Sequence, residues 1–187
     1  MKNIIFVFLC ALAAQVHALE LAEVKLDENI QLENQQLVLN GAGIRKKLLL
    51  KVYIGALYLA EKTHSAEAVL ADTGAKRMSF ILLRDVSGKQ VLNGISEAIL
   101  PNNSEEEMKA IDARLYLFEK MFVPVPEIKK GEIVNLDYIP GLGTRVSVNG
   151  VVKGHIEGQD FYRSLLKIWV GKKPVQSSLK KSVLGEE

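Results

Sequence analysis

The 187-residue sequence predicts an α+β fold, an antiparallel sheet with its helices gathered on one face. Three observations carry this. Strand-like runs open the chain and return in its last third, while helical runs fill the middle and the end. The run from Leu48 to Leu59 places apolar residues at both strand parities, Val52, Ile54, Ala56 and Tyr58 against Tyr53, Leu57 and Leu59. A strand of that kind is covered on both faces, so something packs on each side of the sheet. Two serine signatures, Ser87 with Gln90 and Ser104 with Glu107, each open an apolar stripe at helical spacing.

Taken in order, residues 1–18 (MKNIIFVFLCALAAQVHA) read as a cleaved secretory signal. Lys2 is the positive n-region, Ile4 to Ala14 the apolar h-region, and Val16-His17-Ala18 the small-x-small cleavage site. The apolar run is shorter than the roughly 20 residues a membrane-spanning helix needs. Cys10, the chain's single cysteine, follows Leu9 rather than a small residue, which argues against a lipid anchor. The mature chain is therefore expected to start near Leu19, to be periplasmic or secreted, and to have no stable membrane anchor after cleavage. It then carries no thiol, which excludes disulfides, cysteine nucleophiles and thiolate metal sites together.

Residues 19–171 are expected to form one domain. Residues 20–40 are short strands with turn signals at Asp27-Glu28-Asn29 and Glu33-Asn34. Two strands follow over 41–59, with Gly41 and Gly43 suggesting a bulge or a close backbone approach. A short helix spans Ser65 to Ala71, and a buried strand runs from Arg77 to Arg84. The Ser87 helix turns Val91, Leu92, Ile95, Ala98 and Ile99 to one side until Pro101. The Ser104 helix does so with Met108, Ile111, Leu115, Phe118 and Phe122. Asn149-Gly150 marks a two-residue hairpin turn. The last helix, Gln159 to Val170, sends Phe161, Leu165, Ile168 and Trp169 inward and stops at Gly171. Residues 172–187 (KKPVQSSLKKSVLGEE) read as a polar, frayed tail.

The charge pattern excludes some functions. A net charge of +2, with no basic stripe interleaved with aromatics, gives nucleic-acid binding no support. His64 sits in a loop and His155 on the solvent side of a hairpin arm, so no zinc site is expected. The PGLGT segment at 140–144 reads as a plain turn. Glu105, Glu106 and Glu107 answer the positive end of a helix dipole. No cofactor is implied.

Arg45 is left over. Its guanidinium keeps its charge at any ordinary pH and is rarely buried unpaired. It can snorkel from a strand end, as the adjoining Lys46 and Lys47 suggest and as pattern alone favours. Alternatively, Gly41 and Gly43 strip side chains from the sheet just before it to make room for an anionic guest, with Tyr53 and Tyr58 nearby in sequence.

NGAGIRKKLLLKVYIGALYL (40–59) resembles the opening signature of the chalcone isomerase superfamily, a glycine-x-glycine-x-arginine strand followed by one ending in tyrosine-leucine. The similarity continues through SFILLRDVSGKQVLNGISEAI (79–99) and GVVKGHIEGQDFYRSLLKIWVG (150–171). A secretory signal ahead of such a domain is similar to the bacterial chalcone isomerase-like, periplasmic branch. The resemblance implies an open-faced β-sandwich, with an apolar ligand cleft between an antiparallel sheet and a helical layer on one face. It places Arg45 where the plant enzymes carry a carbonyl-polarising arginine. The positions of the accompanying threonine, tyrosine and asparagine fall at about Val52, Val91 and Ala98. No residue is therefore assigned as catalytic, and chalcone cyclisation is not expected. The plant fatty-acid-binding members instead pair the arginine with a tyrosine from the next strand, near Tyr53. The leading expectation is a non-catalytic protein that binds a small hydrophobic anion, with a fatty acid as first candidate, through Arg45 with Tyr53 or Tyr58. Two alternatives stay open, a lyase- or isomerase-type enzyme that stabilises an enolate through Arg45, and an envelope scaffold with no small ligand.

Overall fold

The computed structural model describes residues 19–186, so the expected signal sequence lies outside the described residues. Seven strands form one antiparallel sheet: β3 (Asn29–Leu32), β4 (Gln35–Lys47), β5 (Leu50–Leu59), β6 (Lys76–Leu82), β9 (Ile133–Ile139), β10 (Gly143–Val148) and β11 (Val151–Ile156). Their spatial order is β11-β10-β9-β6-β5-β4-β3. Four shorter strands, β1 (Leu19–Leu21) with β2 (Val24–Leu26) and β7 (Val86–Ser87) with β8 (Glu127–Ile128), make two small ladders.

The sheet is curled, and the two-faced pattern of β5 is realised. Leu57 and Leu59 belong to a core beneath the helices, while Ile54, Ala56 and Tyr58 belong to a second core on the outer face. Leu26, with Leu21 and Val24 of the β1–β2 hairpin, covers that outer core. The helices are α1 (Ala66–Ala71), α2 (Gly88–Ile99), α3 (Glu105–Phe122), α4 (Gln159–Val170) and α5 (Ser177–Val183). Ser87 and Ser104 both make the reciprocal capping box, each satisfying two orphan N–H groups at a helix start. Glu107, a member of the second box, also accepts from Lys167 at 2.6 Å, which staples α3 to α4. That ion pair and the Ser104 N–H hold its carboxyl below the ordinary glutamate range. Asn149 and Gly150 turn the β10–β11 hairpin with positive φ of 50° and 77°, the conformation such a turn requires.

The frayed-tail expectation for residues 172–187 needs correction. Ser177 to Val183 form α5, and Leu179, Val183 and Leu184 are at most 1% exposed. Their spacing puts them on one helix face, where the lysines and serines around them disguised a core stripe. α5 lies on β4 across Gly41 and Gly43. A Cβ at Gly41 would stand 2.1 Å from the Ser182 carbonyl oxygen, and one at Gly43 would stand 2.6 Å from the Ser182 Cβ. The room these glycines make is thus occupied by the chain's own helix, not by a guest. Asn40 bolts it down, donating to the Val183 carbonyl at 2.8 Å while accepting from the Thr63 N–H at 2.7 Å.

Candidate functional site: an apolar cleft beside Arg45 and Tyr53

Between the sheet and α2 lies a cleft of about 680 Å³. Phe118 and Phe122 of α3 with Ile128, Val134 and Leu136 line its interior, and α2 contributes Val91, Ile95 and Ala98. Leu82 and Phe80 on β6 complete the apolar wall. The volume falls within the usual range for small-molecule sites. Lys47, Arg84 and Lys173 also line it, with Asp85 and Glu97 as its acids.

Arg45 and Tyr53 are register partners in the β4–β5 ladder and both line this cleft. A register shift between Arg45 and Lys46 breaks the ladder beside them. Arg45 is half-buried, and its Nη1 donates to the Lys46 carbonyl and, at 3.3 Å, to the Gln176 side-chain oxygen. Gln176 is itself fixed, accepting from the Lys46 N–H at 2.8 Å and donating to the Ile44 carbonyl at 3.0 Å. Among the described residues no carboxylate lies within ion-pairing distance of Arg45. Its guanidinium therefore meets only neutral acceptors at the edge of an apolar space.

Tyr53 is oriented from two sides. Its hydroxyl accepts from the Trp169 indole N–H at 2.9 Å, and its ring meets Phe80 edge-on with centroids 5.2 Å apart. Phe80 in turn packs on Trp169 at 4.7 Å. Burial pushes the Tyr53 phenol above its ordinary pKa, outweighing the Trp169 hydrogen bond and the Arg45 charge that pull it down. The phenol therefore stays protonated at neutral pH and keeps a hydrogen to donate.

Tyr58 is not part of this arrangement, which corrects its candidacy. Strand alternation turns it to the outer core, where it is 5% exposed, and it does not line the cleft. Burial raises its pKa to about 12, with Asp27 adding to the shift and Arg77 opposing it.

Residues 18–185 match the family model described as chalcone isomerase-like. The chain belongs to the chalcone isomerase-like family. No curated protein matches it in sequence. Among solved structures, this chalcone isomerase-like chain is similar to the crystal structure of a fatty-acid binding protein of Arabidopsis thaliana, at 17% identity and a TM-score of 0.69. That match covers 88% of this chain and 93% of the plant chain. At such low identity the likeness shows the shared fold, a curled antiparallel sheet with helices.

Within this chalcone isomerase-like fold, Val52, Val91 and Ala98 all line the cleft. At the three positions where the superfamily's enzymes are expected to offer a hydroxyl or amide donor the side chains here are aliphatic, while the neighbouring Gln90 and Asn93 bring amides to the cleft. Two contributors escaped the sequence reading. Helical spacing reads Trp169 as core, and nothing in sequence separates a core tryptophan from one that also holds a tyrosine hydroxyl. Gln176 falls in a stretch that reads as polar tail, yet it reaches Arg45 across 131 positions of chain.

Proposed function

We propose that the protein is a non-catalytic binder of a hydrophobic anion, with a long-chain fatty acid as first candidate. The observation that carries this is Arg45, a permanent cation with no carboxylate partner among the described residues, beside a protonated Tyr53 at an apolar cleft of about 680 Å³. A guanidinium fork matches a carboxylate bidentately, the phenol adds a third donor, and the apolar walls take the acyl chain. The fold shared with a plant fatty-acid binding protein supports the reading. Val52, Val91 and Ala98 are aliphatic where ring-closing catalysis would call for a hydroxyl or an amide, and this weighs against such catalysis; the amides that do line the cleft are Gln90 and Asn93. We further propose that the protein belongs to a bacterial branch exported to the periplasm or secreted, on the strength of residues 1–18.

Native mass spectrometry of protein purified from the exported fraction tests this directly. The expected result is an adduct with the mass of an acyl chain, released by organic extraction. Protein that arrives empty and takes up no added fatty acid would sink the reading.

A further inference from the structure

The β4–β5 hairpin ends in a tip that makes poor sense as a turn. Lys47 pairs with Leu50, so Leu48 and Leu49 alone form the two-residue loop. Leu48 is 92% exposed, Leu49 96% and Leu50 55%. Single exposed leucines are ordinary on a protein surface, whereas three in succession at a hairpin tip are not. Leu48 moreover sits at φ 57°, in the left-handed region that leucine adopts only with steric strain.

Three other hairpins of this chain close with two-residue loops, Ala22-Glu23 in β1–β2, Glu33-Asn34 in β3–β4 and Asn149-Gly150 in β10–β11. Each has at least one residue at positive φ, and each uses small or polar residues there. Leu-Leu at the equivalent positions of β4–β5 gives up the solvation that the other three tips keep. The leucines are bracketed by Lys46, Lys47 and Lys51, all exposed, with no acid between Arg45 and Lys51. Apolar side chains at the apex with cations directly behind them match the order of an anionic bilayer, acyl chains within and phosphates outside. The tip is also continuous with the cleft, since Lys47, Leu48 and Leu50 line it.

We infer that the Leu48–Leu49 tip inserts into the surface of anionic lipid membranes and brings the mouth of the cleft to the bilayer. The lysines contact phosphates, the leucines enter the acyl boundary, and an amphiphile could pass from the bilayer to the cleft without crossing open water. The docking goes beyond the ligand reading and does not require it, because adsorption can be measured with no fatty acid added.

Flotation of the purified protein with vesicles tests it, using phosphatidylcholine alone and phosphatidylcholine mixed equally with phosphatidylglycerol. Wild type should float with the anionic vesicles and much less with the neutral ones. The double variant Leu48→Asn, Leu49→Gly should lose roughly tenfold or more in vesicle affinity while its Tm stays level or rises. Lys46→Gln with Lys51→Gln should weaken anionic binding by roughly fivefold per charge, an effect that salt removes. In Leu49→Trp, the new indole should shift its emission to the blue on adding anionic vesicles. Three results would overturn the inference: no preference for anionic vesicles, equal flotation of the leucine variant, or a solution mass that drops from dimer to monomer in that variant. The last would mean that a second copy covers the tip. Failure on vesicles leaves fatty-acid binding in solution standing, and the reverse also holds.

Discussion

The Trp169 indole N–H donates to the Tyr53 hydroxyl across 2.9 Å, tying α4 to the strand opposite Arg45. An indole can only donate, so Tyr53 must be the acceptor, and its own hydrogen is left for another partner. The contact thus sets the direction in which the phenol donates as well as where it stands. It also puts the chain's only tryptophan on the cleft wall.

Fatty-acid entry should therefore change intrinsic tryptophan fluorescence, and titration should saturate. Tyr53→Phe keeps the ring against Phe80 but removes the hydroxyl, so affinity should fall by about 0.5–1.5 kcal/mol. Trp169→Phe should cost about 1–3 kcal/mol of folding stability, from the lost hydrogen bond and the cavity left behind. Urea unfolding measures the second effect. An unchanged midpoint would show that the Trp169 contact is dispensable.

Arg45→Ala should weaken fatty-acid binding by about 1.5–3 kcal/mol, one to two decades, because the charge-assisted donors go and the apolar walls stay. Arg45→Lys should recover only part, keeping the charge without the fork. Calorimetric titration with the acid and with the matching alcohol separates the terms, since the alcohol should bind all three proteins alike. If the acid does so too, Arg45 is a surface cation.

Gly41→Ala should destabilise the protein by about 1–3 kcal/mol or more, as an overpacked core position does. The added methyl meets the Ser182 backbone oxygen at 2.1 Å, and backbone cannot rotate away. α5 should lift, and limited proteolysis should then cut after residue 171 in the variant before it does in wild type. Gln176 would leave with the helix, so Arg45 should lose its fixed neighbour as well.

Asp160 at the start of α4 is held below its ordinary pKa, chiefly by the Arg114 hydrogen bonds at 2.5 and 2.7 Å. A depressed carboxyl contributes stability that is fully present above the unfolded value of about 3.9. That contribution disappears as pH falls through the folded value. Asp160→Asn should accordingly be less stable than wild type at neutral pH, with the gap closing in acid. Thermal unfolding at neutral pH and near pH ~3 checks the sign. A gap of the same size at both would assign the effect to packing.

Local chemistry was enough to read most elements. The Ser87 and Ser104 caps, the Asn149-Gly150 turn and the inward stripe of α4 each depend on residues within a few positions of one another, so sequence carries the whole cause. It also put Arg45 forward through its motif, with Tyr53 and Tyr58 as candidate companions. Which tyrosine accompanies Arg45 was a different matter. β5 is apolar at both parities, so alternation separates Tyr53 from Tyr58 without saying which of them faces the cleft. Only the packing of helices on one face and the β1–β2 hairpin on the other decides that. The C-terminal segment shows the same limit from the other side. Leu179, Val183 and Leu184 are too few among lysines and serines to announce a core helix, and the glycines that receive them lie nearly 140 residues earlier. Burial is a property of both surfaces at once, and sequence displays each surface without its partner.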